Sequence, residues 1–589
     1  MKKQNVVIIV TDDQGYGDIA INGNPWLKTP NLDNLARTGI SFENFHTDPL
    51  CAPARAGLLS GKYSFGVGVY STLNGRYYMD TKVKTIANYF QDAGYATGMF
   101  GKWHLGDTVG YLPEDRGFDT AVSFGGGVIG ETPDYWNNDY FDDTYLFNGK
   151  EHKVKGYCTD IWFNLGLDFI DKKTENGQPF FCYIPTNAPH GPLNVEPKYY
   201  QKYIDKGVDE NKAKFYGMIE NIDDNIGKFI KHLKEIGQYE NTTIIFFGDN
   251  GTATGCTVDE NGHLTSGYNA NMRGKKGTTY EGAHKNACFL NAPNEILGKA
   301  RKIDGITSQH DILPICLEIC GIDIPQDIDG ISCVDSLKKG ETYVNKGRTL
   351  VVHNMQKDMP QKYKDYTVLR DNMRLVRPFT KQNALEQIKS FGSTTTLNPE
   401  IYNLDKDFSE LNDIYEEYTD LANELTLYYE DWYDERVDNA IKFKPIFIPD
   451  NSKVKITSHV WHECTKMCFS QNNIREGIDS NGYISIDVLH DGEYELELMR
   501  YPKEANLPLN GSALFEAKTP CKEEKPQGKV YNIISASVFV GGTKKVCELL
   551  EYSAKTKIHL NKGEQILRTR FMLENGESIG AYYVYIDKV

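Results

Sequence analysis

Asn5-Val6-Val7-Ile8-Ile9-Val10, followed by Thr11-Asp12-Asp13-Gln14-Gly15, is the stretch that decides the fold. Its five β-branched residues in a row fit a strand covered on both faces, and so a parallel or mixed sheet between helices. Asp12 and Asp13 follow at once. Neighbours on a regular strand face opposite ways. Both carboxylates therefore reach one point only where the chain leaves the strand, and Gly15 and Gly17 let it do so. Asp249-Asn250-Gly251 repeats the arrangement after Ile244-Ile245-Phe246-Phe247, a second apolar strand. Sites in open α/β sheets form at the carboxyl ends of strands, where Asp12, Asp13, Asp249 and Asn250 all stand. An all-oxygen set suits a hard divalent cation, calcium or magnesium, rather than zinc.

Strand and helix signals alternate through the first 340 residues or so, which argues an α/β domain over 1–344. Thr29-Pro30-Asn31-Leu32 opens a helix with a capping hydroxyl, closed by Gly39. Residues 85–93 form another helix, and 95–100 and 180–184 form strands. Phe215, Met218, Ile219, Ile222, Ile226, Phe229, Ile230 and Leu233 keep helical spacing. Over 345–444 the texture changes to short strands at 348–352, 366–369, 373–376 and 400–403, with a helix over 411–436: a small α+β subdomain. Residues 445–450 read as a linker. Strict alternation at 483–488, 494–498 and 582–586 then marks an all-β, sandwich-like domain over 445–589.

A chain of 589 residues with 40% hydrophobic and 25% charged residues reads as an ordinary globular protein. Its net charge of -16, without a Lys/Arg-rich stripe, excludes a generic nucleic-acid binder. No run reaches transmembrane length. The apolar run at 5–10 is too short for a signal peptide and meets Asp12-Asp13 directly. The expected location is cytoplasmic, or periplasmic or secreted were a signal trimmed. The 12 cysteines are scattered. The spaced pairs Cys316/Cys320 and Cys464/Cys468 lack the further ligands of a zinc site. Reduced, buried thiols are the expectation.

Cys51-Ala52-Pro53-Ala54-Arg55 runs into Ala56-Gly57-Leu58-Leu59-Ser60-Gly61. A helix from about Pro53 to Gly61 puts Cys51 at its N-terminus, where free N–H groups and the dipole favour a developing anion. Arg55 lies one turn on. Taken alone, a structural thiol fits as well. Gly101-Lys102-Trp103-His104-Leu105-Gly106 sets a cation, Lys102, two residues from a proton carrier, His104; in extended chain both point to one face. His190, in Asn187-Ala188-Pro189-His190-Gly191-Pro192-Leu193, lies past a strand end.

Cys51-x-Pro53-x-Arg55 with the six residues after it resembles the signature of the formylglycine-dependent (type I) sulfatases of the alkaline phosphatase superfamily. The string at 101–106 is similar to that family's "GKWHLG", and the stretch around His190 to its "PHxPL". Lys276-Gly277-Thr278-Thr279-Tyr280-Glu281-Gly282 is similar to "KxxxxEG", and 400–407 to "ELYDLxxDP". The resemblance covers about three quarters of the chain. It departs at Ala283-His284-Lys285-Asn286-Ala287, where "GxRVP" is usual, and at Lys275, which adjoins Lys276.

The resemblance implies an alkaline-phosphatase-like sandwich with a mixed central sheet and a small C-terminal subdomain. It implies that a formylglycine-generating maturation enzyme oxidises Cys51. It also implies that Asp12, Asp13, Asp249 and Asn250 hold calcium, with magnesium as the alternative, and that residue 51 completes the shell. Lys102 and Lys276 would bind sulfate. On this reading a hydrated aldehyde, with Arg55 beside it, attacks sulfur to form a covalent sulfo-enzyme. His190 is the candidate acid for the leaving alcohol and His104 the candidate base for release of sulfate.

The substrate expected is a sulfated carbohydrate or an aryl sulfate. The aromatic and acidic loop at 131–143 has the composition of a sugar-binding loop and equally of a packed surface loop. The first alternative is a phosphonate monoester or phosphodiester hydrolase of the same superfamily. The second is a non-catalytic sulfoglycan-binding protein with unmodified Cys51. Homo-oligomerisation is left open.

Overall fold

The computed structural model describes residues 3–378, 398–464 and 466–589. Strand Asn5–Thr11 lies inside an 11-stranded mixed sheet. It runs parallel to Phe180–Pro185 on one side and to Thr242–Gly248 on the other. Ala96–Gly101 continues the parallel order beyond Phe180–Pro185. Lys285–Asn291 is antiparallel to both Thr242–Gly248 and Ile40–His46, which makes the sheet mixed.

Every residue of Asn5–Thr11 is buried. Val6, Ile8 and Val10 enter one core with Leu58, Phe90 and Leu313. Val7 and Ile9 enter another with Leu32, Trp162, Ile222 and Phe229. Helices Cys51–Ser60, Ile86–Asp92 and Gln309–Ile319 thus cover one face, and Pro30–Thr38, Cys158–Glu175 and Glu210–Glu235 the other. This is the α/β sandwich that the unbroken β-branched run calls for. The four parallel strands share one carboxyl edge, and the loops leaving that edge carry Asp12, Lys102, His190 and Asp249.

The small antiparallel sheet Thr349–His353, Tyr366–Arg370, Met373–Arg377 and Glu400–Asn403 packs on helix Thr419–Ala440, with the Tyr366 and Tyr429 rings stacked 3.5 Å apart. The ten-stranded C-terminal sheet is all β. Strand Thr543–Leu549 joins its halves, pairing with Ile533–Val540 along most of its length and with Ala554–Leu560 through Glu548 and Leu549. Its core is continuous with that of the α/β domain. All twelve cysteines are free thiols, ten of them buried. No helix of the described residues is long and apolar enough to cross a membrane.

Three local expectations are corrected. The Thr29 hydroxyl does not cap helix Pro30–Thr38. The Asp223 carboxylate accepts from the amides of Asn31 and Leu32 instead, a cap supplied from a distant helix. The helix expected over 411–436 is Thr419–Ala440. Residues before it are held in turns because the Asp413 carboxylate accepts from the amides of Ile401 and Tyr415. The linker expected at 445–450 contains strand Ile446–Ile448, parallel to Tyr483–Val488, with Phe447 stacked on Tyr111.

Candidate active site

Helix Cys51–Ser60 begins two residues before the proline. Leu50 is extended and its carbonyl accepts the first helical bond, from Ala54 N at 3.1 Å. Pro53 therefore sits in the first turn, where its missing donor costs nothing. Gly61 ends the helix at φ 66. Cys51 is buried at the N-terminus, and the Lys276 ammonium stands 3.3 Å from its sulfur. Lys275 turns away and donates to the Ala253 carbonyl. Burial pushes the Cys51 thiol up to about 12, against the pull of Lys102 and Lys276. At neutral pH it is a protonated thiol, a poor nucleophile as it stands.

Asp13 has φ 72, so the chain leaves the strand where both carboxylates must converge. Carboxylate oxygens of Asp12, Asp13 and Asp249 lie within 4.8 Å of one another, all buried. Lys102 donates to Asp12 at 2.7 Å, and Arg55 donates to Asp249 at 2.8 Å. Lys276 pairs with Asp13, and Asn250 donates to Asp13 at 3.0 Å. Two buried oxygens remain without a hydrogen-bond partner: Oδ1 of Asp12 and Oδ1 of Asn250. Burial opposes charge on Asp12, but Lys102, His190, Arg55 and Lys276 outweigh it and hold the group well below the usual carboxylate range. Burial and the charge of Asp12 push Asp249 up. Orphaned oxygens beside crowded carboxylates fit a hard divalent cation.

The expectation of an extended Lys-x-His is not met. His104 has φ 58, and its Nε2 lies 3.2 Å from the Thr72 carbonyl. With Nε2–H as donor there, the buried Nδ1, which has no partner, is the proton acceptor. Burial, then Lys102 and His459, hold His104 well below its ordinary value, so it is neutral. Gly127 backs the ring so closely that an added Cβ would stand 2.1 Å from His104 Cε1. His190 Nδ1 lies 2.7 Å from the Gly191 carbonyl, and Nε2 faces Asp13 Oδ2 at 3.6 Å.

Cys51, Asp13, His104, His190 and Lys276 line one cavity of about 360 Å³. Its remaining wall includes Glu131, from the loop at 131–143, and Thr72, Gln356 and Phe469, which sequence reasoning did not single out for the site. Gln356 follows strand Thr349–His353 of the small sheet and Phe469 belongs to the C-terminal domain. Of the loop at 131–143, Glu131 reaches the cavity while the rest packs. Asp134 and Asp143 bind amides of Gly130 and Tyr140. Trp136 meets Tyr501 edge-on, and the buried Tyr140 donates its hydroxyl to the His190 carbonyl. Most of that loop packs as a surface loop does, while Glu131 faces the cavity.

A buried ion pair ties the C-terminal domain to this wall: His459 Nε2 stands 3.2 Å from Glu131 Oε2. Burial lowers His459, but Glu131 and then Asp107 hold it above its ordinary value of 6.5. Burial raises Glu131, but His459 and the Gly127 amide hold it below its ordinary 4.5. A raised histidine stabilises fully below its unfolded value and loses that as pH rises through the folded one. A depressed carboxyl stabilises above its unfolded value and loses that as pH falls. The pair therefore contributes most between about pH 4.5 and 6.5. His459→Leu strands a buried carboxylate and is expected to lower unfolding free energy by about 3–5 kcal/mol, measured by urea denaturation at pH 6.

A sulfatase family profile matches residues 4–322, over half of the chain. Mouse N-acetylgalactosamine-6-sulfatase is 27% identical over 376 residues, 59% of this chain and 69% of that protein. Mouse arylsulfatase J is 27% identical over 366 residues, 60% of this chain and 58% of that protein. A solved structure described as Ps i-CgsB in complex with k-i-k-neocarrahexaose superposes with a TM-score of 0.64 at 24% identity, covering 75% of this chain and 95% of that one. With this fold, this carboxylate corner and this match across the α/β domain, the chain belongs to the sulfatase family, a sulfuric ester hydrolase by class.

Proposed function

We propose that the protein hydrolyses a sulfate monoester on a carbohydrate, through a formylglycine made from Cys51. The observation that carries this is the placement of the Cys51 sulfur 3.3 Å from Lys276 in the cavity that His104 and His190 also line. The elevated thiol explains why an unmodified cysteine would serve poorly. The sugar substrate is suggested by the name of the mouse N-acetylgalactosamine-6-sulfatase, to which the chain is similar. A maturation enzyme that converts Cys51 is part of the proposal.

The aldehyde at residue 51 hydrates to a geminal diol. One hydroxyl of the diol gives up its proton to solvent water and attacks sulfur; an O–S bond forms as the ester S–O bond breaks. Lys102 and Lys276 hold the sulfuryl oxygens as charge shifts among them. His190 Nε2 delivers the proton that the departing alcohol needs. His104 Nδ1, neutral and without a partner, takes the proton of the remaining hydroxyl. The C–O bond to sulfate then breaks, the aldehyde re-forms, and water restores the diol. Arg55 fixes Asp249, and Tyr140 fixes the loop of His190. A calcium or magnesium ion held by Asp12, Asp13, Asp249 and Asn250 would supply positive charge beside residue 51.

The test is release from 4-nitrophenyl sulfate and from sulfated monosaccharides, beside matching phosphate and phosphonate esters, by protein matured with a formylglycine-generating enzyme. Faster turnover of the sulfates supports the reading. Preference for the phosphonate or phosphate ester overturns the substrate class, and binding of sulfated glycan without release overturns the enzyme.

A further inference from the structure

The outer face of the C-terminal sheet carries a strip of unpaired cations. Arg568 in strand Gly563–Leu573 stands opposite Tyr483 on one side and Phe539 on the other. Phe539 in turn stands opposite Lys544. Directly opposed residues share a face of the sheet, so Tyr483, Arg568, Phe539 and Lys544 form one row across four strands. The next row on that face, two residues along, holds Arg570, Ser537 and Val546. Lys544, Arg568 and Arg570 are exposed, and Phe539 is half-buried beneath them. The Lys544 ammonium lies 5.3 Å and the Arg570 guanidinium 5.9 Å from the Phe539 ring centre, and Arg568 lies 5.1 Å from that of Tyr483. The rings hold the three long side chains against the sheet.

Among the described residues none of the three cations is in an ion pair, although the chain as a whole has a net charge of -16. Glu463 acts on Tyr483 at one end of the row. Glu564, with Asp487 opposite it, lies four residues from Arg568 on the same face. That is roughly 13 Å along the strand, beyond a physiological Debye length. Three cations left unneutralised on an acidic protein, ordered over aromatic rings, make a surface for a ligand with repeated single negative charges. The row also connects to the reaction cavity. Tyr483 packs on His462, and His462 Nδ1 lies 2.9 Å from Asp358, two residues from Gln356 of the cavity wall.

We infer that this face binds a sulfated polysaccharide chain and holds it beside the cavity, an inference that rests on the sulfatase reading of the site. The guanidinium forks of Arg568 and Arg570 suit sulfate oxygens. Lys544 supplies a third charge.

Binding is measured by gel retardation on the full chain carrying Cys51→Ala, with dextran sulfate, unsulfated dextran and duplex DNA as probes. The expected result is salt-sensitive retardation by dextran sulfate and none by dextran. The triple change K544Q/R568Q/R570Q is expected to weaken it roughly tenfold, the scale of three exposed ion contacts. R568K/R570K, which keeps the charges and loses the forks, is expected to bind between the parent and the triple variant. In the matured enzyme the triple change should leave hydrolysis of 4-nitrophenyl sulfate unchanged. Equal retardation of the triple variant, equal retardation by plain dextran, or duplex DNA binding as tightly as dextran sulfate would each overturn the inference. Failure of the matured parent to release sulfate would strike the sulfatase reading alone, because the binding assay needs no turnover.

Discussion

Cys51→Ala is expected to lower kcat for a sulfate ester by a factor on the order of 10⁵ to 10⁶, the scale seen when a nucleophile is removed from a preorganised site. Its effect on stability should be small, because Cys51 makes one polar contact, to Lys276. Cys51→Ser separates chemistry from space filling. A serine oxygen left unconverted can accept a sulfuryl group, but it carries no second hydroxyl to lose its proton to His104 Nδ1. It should therefore give one slow turnover per protein and then stop, with sulfate retained on residue 51 by mass. Repeated turnover by the serine variant without an aldehyde would contradict the roles assigned to the diol and to His104.

Removal of divalent cations carries the second large effect. Asp12, Asp13 and Asp249 converge within 4.8 Å in a buried site, and Oδ1 of Asp12 and of Asn250 have no hydrogen-bond partner there. Chelation is expected to reduce kcat/KM by at least 10³-fold and to lower the thermal midpoint. A ligand present at 100 times its Kd stabilises the fold by about 2.7 kcal/mol, and that is lost with it. Calcium or magnesium added back should restore both readings. Asp249→Asn should make both insensitive to the added ion and also remove the carboxylate charge that the buried Arg55 pairs with at 2.8 Å. Unchanged midpoint and unchanged turnover in chelator would contradict the assignment of the carboxylate corner.

The α/β core was legible because its signal is local. Five β-branched residues at 6–10 state a strand buried on both faces, and the two cores that divide them bear this out. The convergence of Asp12 and Asp13 was likewise implied by two carboxylates at a strand end followed by glycines. Long-range features were not legible. Asp223 caps a helix 192 residues away, a role that no spacing rule assigns. The strand at 446–448 was hidden because three residues between prolines look like a linker until a partner strand pairs with them.

The cavity wall divides along the same line. His104, His190 and Lys276 of the wall sit in strings that carry information of their own, as does the buried Lys102. Thr72, Gln356 and Phe469 come together through tertiary contact alone. The strings also misled on geometry: Lys102 and His104 stand two apart, yet the left-handed turn at His104 sends them to different partners. The loop at 131–143 shows how composition fails to separate binding from packing. Its Asp143 carboxylate holds the amides of Asp139 and Tyr140, and Glu131 faces the cavity while paired to His459.

The most direct measurement follows turnover against aldehyde content in one protein matured to different extents. Aldehyde at residue 51 is counted by hydrazide labelling and peptide mass, and sulfate release is measured on the same samples. The account predicts a straight line through the origin, with no release from fully thiol protein. Release that is independent of aldehyde content, or present at zero aldehyde, would contradict it.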